Sequence, residues 1–180
     1  MTTRPLSSLT EGNGVRFGTS GVRGLVHDMT DELCFGFTHA FLQSAAPTAN
    51  YVVVGMDLRP SSPRMAMACA AAIKAHGKRV VNVGVVPTPA LAFFALSEAL
   101  PAVMITGSHI PFDRNGIKFY SAMGEITKAD EQAICAASVP TAATCSTALS
   151  PVDGRALRLY RERYTRFFPA AFLRGTRIGV

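Results

Sequence analysis

YVVVGMDLRPSSPRMAMACAAAIKAHGKRVVNVGVVPTPALAFFALSEALPAVMIT, residues 51–106, decides the fold. Three runs inside it, YVVVGM (51–56), RVVNVGVV (79–86) and PAVMIT (101–106), have the length and β-branched or apolar content of buried strands. Two helix-length stretches separate them. The first opens at Ser62-Pro63, an N-cap followed by a first-turn proline, and stops at Gly77; the second opens the same way at Thr88-Pro89 and runs to about Leu100. Strand, helix, strand, helix, strand at this spacing is the pattern of βαβ crossovers. The expectation is an α/β domain with a mostly parallel sheet and helices on both faces. Ligands in such sheets sit beyond the carboxyl ends of the strands.

Outward from this block, Thr30 opens a helix to about Ala46, and the glycine-rich VRFGTSGVRGLVHDM (15–29) reads as a loop between short strands. On the other side, Asn115-Gly116 reads as a turn that folds a strand at 117–120 back; a turn at Met123-Gly124 and a helix from about Thr127 follow. The expected organisation is a loose lead-in over 1–14, a domain over 15–137 and a Ser/Thr/Ala/Pro-rich linker over 138–152. Residues 153–180 then begin a second α/β domain, cut soon after it starts: a helix near 153–168 and a first strand, TRIGV (176–180).

Composition narrows the function. The chain is 48% hydrophobic and 17% charged, which excludes a disordered chain. The net charge of +6 is local: seven arginines in 151–180 face only Asp153 and Glu162, and the body is nearly neutral. Tyr160, Tyr164, Phe167 and Phe168 have the spacing of a helical stripe rather than a stacking platform, so nucleic acid is not an expected partner. Neither long uncharged run, 80–97 or 132–152, suits a membrane span, because Asn and Pro break the first and Ser, Thr and Pro fill the second. Cysteines 34, 69, 135 and 145 have no metal-ligand spacing; with no signal-peptide pattern at the start, they suggest a cytosolic protein.

The chemistry concentrates in GSHIPFDRNGIKFY (107–120), the segment after the third strand. Ser108 and His109 stand at a strand end in a glycine-flanked turn, where a hydroxyl is exposed and can act as a nucleophile. An adjacent histidine is not expected to reach its neighbour's hydroxyl as a base would, and the G-x-S-x-G pattern of serine hydrolases is not met. Lys118, folded back by the Asn-Gly turn, would point into the same pocket, with a solvated edge-strand lysine as the alternative. Gly18-Thr19-Ser20-Gly21 with Arg23 has the make-up of a phosphate cradle: small residues, free backbone N–H groups and one guanidinium. Arg59, before the helix at Ser62, would add a cation to an anion site; its alternative is an ion pair with Asp57.

Taken together, FGTSGVRG (17–24), VGMDLRPSS (54–62), GVVPTPAL (84–91) and TGSHIPFDRNGIKFY (106–120) resemble the N-terminal part of the α-D-phosphohexomutase family, the phosphoglucomutases and phosphomannomutases. The resemblance covers about residues 15–180. It implies that Ser108 carries a phosphoryl group, that His109 is its active-site neighbour, that Lys118 assists proton transfer and that Arg23 contacts the phosphoryl group. Thr19, Ser20 and Arg59 match positions near that centre. The implied reaction interconverts hexose 6-phosphate and hexose 1-phosphate through a hexose bisphosphate. Mg²⁺ would be held by the Ser108 phosphate and by aspartates of a second domain, while further domains would read the sugar and grip its phosphate. None of those elements falls within the 180 residues, so the fragment alone is expected to be inactive. Gly107 and Ile110 stand where the family usually has Ala and Asn. The alternatives are a sugar-phosphate-binding module without turnover and a serine hydrolase using Ser108.

Overall fold

The structure, a computed structural model, describes residues 2–18, 21–141 and 145–179. In chain order the elements are β1 (Thr3–Pro5), a 3₁₀ turn (Leu6–Leu9), β2 (Arg16–Gly18), β3 (Gly21–Leu25), α1 (Asp31–Ser44), β4 (Tyr51–Met56), α2 (Ser62–Ala75), β5 (Arg79–Val85), α3 (Thr88–Ser97), β6 (Ala102–Ile105), β7 (Arg114–Ser121), β8 (Gly124–Glu125), α4 (Lys128–Cys135), β9 (Ser138–Pro140) and α5 (Arg155–Thr165). The main sheet has the order β2-β3-β7-β6-β4-β5, with β8 on β7.

The α/β class stands, and the sheet is mixed. Parallel pairing is confined to β4 with β5 and β6; β2–β3, β3–β7, β6–β7 and β7–β8 are antiparallel. Connection length explains the difference. A parallel return needs a dozen or more residues, and α2 and α3 supply them, whereas the segment between β6 and β7 is too short for a crossover. Helices cover both faces. Leu33, Phe37 and Phe41 of α1 and Met65 and Ile73 of α2 pack on Val52, Val54 and Phe119. On the other face, Leu91 and Phe94 of α3 and Ala156 of α5 pack on Val53, Met104 and Tyr120.

Several local expectations change. The start of the chain is tied down, because β1 pairs with β9 and Leu6 is buried. In the segment expected as a linker, 138–152, the described ends are held: Ser138–Pro140 pairs with β1, Asn82 donates to the Ser150 carbonyl (2.7 Å) and Lys74 to that of Ala148 (3.0 Å). The cap of α2 is Ser61, not Ser62, and that of α3 is Pro87, not Thr88; neither makes a side-chain cap bond. Phe167 and Phe168 lie beyond α5, and residues 176–179 form no strand; Val180 lies outside the described residues.

Candidate active site

The chain leaves β4 for β5 across one face and returns from β5 to β6 across the other. The carboxyl ends of the neighbours β4 and β6 therefore form a switch-point crevice. The loop after β6 carries Ser108 and the loop after β4 carries Asp57 and Arg59. Ser108 is exposed and has φ 51°, a left-handed conformation that strains a side-chain-bearing residue. Its N–H donates to Thr106 Oγ1 (2.9 Å), and the Gly107 N–H donates to Asp57 Oδ2 (3.0 Å). Ser108 Oγ lies 3.3 Å from His109 Nδ1, so the adjacent histidine does reach the hydroxyl.

Asp57 is the hub below this loop. Its Oδ1 accepts from Ser62 Oγ (2.6 Å) and the Arg59 N–H (3.0 Å). Burial raises the cost of its charge, but hydrogen bonds from Ser62, the Arg59 and Gly107 amides and Thr106 outweigh it and hold the carboxyl below its usual range. Asn115 Nδ2 donates to Ser61 Oγ (2.8 Å) and Ser62 Oγ (2.9 Å), and its own Oδ1 takes the Gly116 N–H. Asn115-Gly116 is thus inside β7 rather than at a turn; the reversal comes earlier, where the Arg114 N–H meets the Pro111 carbonyl. The sequence marks none of Asp57, Ser62, Thr106 and Asn115 as a site residue: Ser62 reads as a helix cap, Asn115 as a turn residue and Asp57 as the alternative partner of Arg59.

Arg59 is engaged within the two loops. Its Nε faces Asp57 Oδ2 at 3.4 Å, as the ion-pair alternative expected. Its other donors go to the carbonyls of Pro111 (2.9 Å), Arg114 (3.1 Å) and Ile110 (2.7 Å). Thr19 and Ser20, the tip of the expected cradle, lie outside the described residues. Arg23 on β3 pairs opposite Gly116, whose backbone carbonyl accepts from Thr106 at the base of the Ser108 loop. Lys118 lies two residues further along β7, on the same face as the Arg23 pair. It is on an interior strand, not an edge, and its Nζ is 3.6 Å from Glu125 Oε1. Glu125 also engages Tyr120, whose phenol is pushed up to about 12, by burial first and then by this carboxylate. Lys118, Tyr120 and Glu125 line a cavity of about 500 Å³ with Phe93 and Leu96 of α3.

Residues 14–141 match the phosphoglucomutase/phosphomannomutase α/β/α domain I. The chain belongs to this family. A phosphomannomutase of Salmonella muenchen is 48% identical over 170 residues, covering 93% of this chain and 35% of the relative. A phosphomannomutase of Sinorhizobium fredii is 40% identical over 179 residues, covering 93% and 38%. The crystal structure of a phosphoglucomutase/phosphomannomutase family protein from Burkholderia thailandensis superposes with a TM-score of 0.58 at 31% identity, over 64% of this chain and 28% of that one. The chain thus spans little more than a third of the length of the two curated relatives. Family membership does not favour the hydrolase or the binding-module alternative. Among the described residues no helix is long and apolar enough to cross a membrane.

Proposed function

We propose that these residues are the catalytic-serine portion of a phosphohexomutase, with Ser108 Oγ as the phosphoryl carrier. The observation that supports it most is the presentation of Ser108: an exposed hydroxyl in a left-handed turn at the β4–β6 crevice, with its loop bound from below. Phosphoryl transfer asks a protein mainly for position and positive charge. Phosphorylated Ser108 meets a free hydroxyl of a hexose phosphate; that oxygen attacks phosphorus, its proton passes to a base, and the Oγ–P bond breaks. The resulting hexose bisphosphate turns over, Ser108 Oγ attacks the phosphorus of the other phosphoryl group while His109 Nδ1, 3.3 Å away, takes the hydroxyl proton, and the sugar O–P bond breaks as the leaving sugar oxygen takes up a proton. Lys118 assists proton transfer at the sugar, and Arg23 contacts the phosphoryl group. Substrate and bisphosphate are the partners, and further domains of the same enzyme supply the sugar contacts.

Mg²⁺ suits a serine phosphate, because it favours carboxylate and phosphate oxygens. The described residues do not make its site: no group of three His, Cys, Asp or Glu side chains converges among them, and both oxygens of Asp57 already accept hydrogen bonds. Its aspartates would come from beyond these residues. The reading includes the cytosol, since the thiols of Cys34 and Cys69 are free and buried, and burial pushes Cys69 up to about 12. Ser108→Ala in the full-length enzyme should abolish turnover with an unchanged circular dichroism spectrum, and intact-mass measurement should find one phosphoryl group on the wild type and none on the variant. Turnover by Ser108→Ala, free of wild-type protein, refutes the assignment.

A further inference from the structure

The guanidinium of Arg59 occupies the space a side chain at 107 would need. A Cβ on Gly107 would lie 2.0 Å from Arg59 Nε and 2.2 Å from Cζ. From this berth the planar fork spans the loop, with Nη1 on the Pro111 and Arg114 carbonyls and Nη2 on that of Ile110. Its Nε side is closed by Asp57, which also holds the Gly107 N–H. Three guanidinium N–H groups thus donate to backbone carbonyls, the Nε edge is ion-paired with Asp57, and the side chain is only 12% exposed. Such an arginine has little left with which to hold a phosphate.

We propose that Arg59 is a positioning residue for Ser108 and that Gly107 is the notch that seats it; this rests on the reading of Ser108 as phosphoryl carrier. Ser108 sits between two anchored stretches. Asp57 and Thr106 hold the Gly107 and Ser108 amides, and Arg59 holds the carbonyls that follow at 110, 111 and 114. Without the second anchor the strained turn at Ser108 can relax, and the hydroxyl loses its line of approach to phosphorus. Arg59 touches backbone carbonyls, the Asp57 carboxylate and the face of the Phe112 ring (5.9 Å from Cζ to the centroid), all within the two loops, so it acts through the loop and not on the reacting atoms.

The test is a double-variant cycle of Gly107→Ala and Arg59→Ala, with Arg59→Lys beside it. In the 180-residue chain, either alanine variant should speed amide exchange across 107–114 about tenfold or more, roughly the loss of one such hydrogen bond to a charged donor, while β4 and β6 stay protected. In the double variant the methyl introduced by Gly107→Ala has no guanidinium to meet, so the two losses should not add. Arg59→Lys should fail to restore protection, because an ammonium cannot bridge three carbonyls as the fork does. In the full-length enzyme the same variants should lower kcat about 10²-fold with little change in KM. Additive losses, unchanged exchange in either single variant, or full rescue by Arg59→Lys overturns the proposal; if Gly107→Ala does not fold, the two Arg59 variants decide it. Turnover by Ser108→Ala would instead strike the phosphoryl-carrier reading, which the exchange measurement does not depend on.

Discussion

Asp57 joins the two loops of the crevice, and its charge makes that joint sensitive to acid. Its folded carboxyl binds a proton more weakly than the unfolded chain does. Its contribution is therefore complete above the ordinary aspartate value, about 3.9, and is lost as pH falls through the lower folded value. Acidification below about pH 4 should free the Gly107 amide and loosen 107–114 before the core opens. Amide exchange against pH, with far-ultraviolet circular dichroism alongside, checks this; in Asp57→Asn the loop should be loose at neutral pH and show no acid step. Identical profiles for the two proteins would mean that the carboxylate does not hold the loop. The sequence makes part of this legible. Ser108 stands out because a hydroxyl at a strand end between small residues is exposed, and the Asp57–Arg59 pair is local. What it does not reveal is that the guanidinium reaches carbonyls 51 to 55 residues further along, because only the adjacency of β4 and β6 brings them together.

Among the elements, those with a strong local signal are placed closely by the sequence. Thr30 caps α1 by accepting from the Leu33 N–H, and Thr127 and Asp130 form a capping box at α4. The antiparallel arm follows from connection length, which the strand-and-helix rhythm of 51–106 hides. Asn115-Gly116 is the instructive failure, since its turn signal is overridden by packing. The Asn side chain is satisfied by two serines, and a Cβ on Gly116 would lie 2.7 Å from the Val22 carbonyl oxygen, so only glycine lets β3 lie so close. The end of α3 shows the reverse case, a position where glycine fits and is missing. Ala99 has φ 51° just past the last turn, and the Leu100 N–H reaches back to the Ala95 carbonyl (2.9 Å), the arrangement that usually takes glycine. Ala99→Gly removes the left-handed strain at some cost in unfolded-state entropy. It should stabilise the chain by roughly 0.5–1 kcal/mol, read as a higher midpoint in thermal or urea unfolding. A lower midpoint would show that the turn is not strained.

Across the whole molecule, the C-terminal stretch divides in two at Thr165. Before it, α5 is seated on α3: Ala156 is buried, the Arg163 guanidinium lies 4.9 Å from the Phe93 ring centroid, and Arg155 pairs with Glu98. After it, residues 166–179 are exposed throughout, including Phe167 at 79% and Ile178 at 67%. Phe168 packs on Phe167 (5.0 Å between centroids) and Phe172 (4.7 Å), so this small apolar cluster rests on itself rather than on the sheet. An apolar group of that kind, flanked in the chain by Arg166, Arg174 and Arg177, gains by meeting another of its kind once the arginines' mutual repulsion is screened. The 180-residue chain should therefore associate with rising concentration, and more so in high salt than in low. A variant ending at Thr165 keeps every α5 contact just named and should stay monomeric in both, with the same thermal midpoint. Light scattering over a concentration series at two ionic strengths makes the comparison. Association by the shortened variant would move the sticky surface to the body of the domain, and a lowered midpoint would mean that residues beyond Thr165 support the fold.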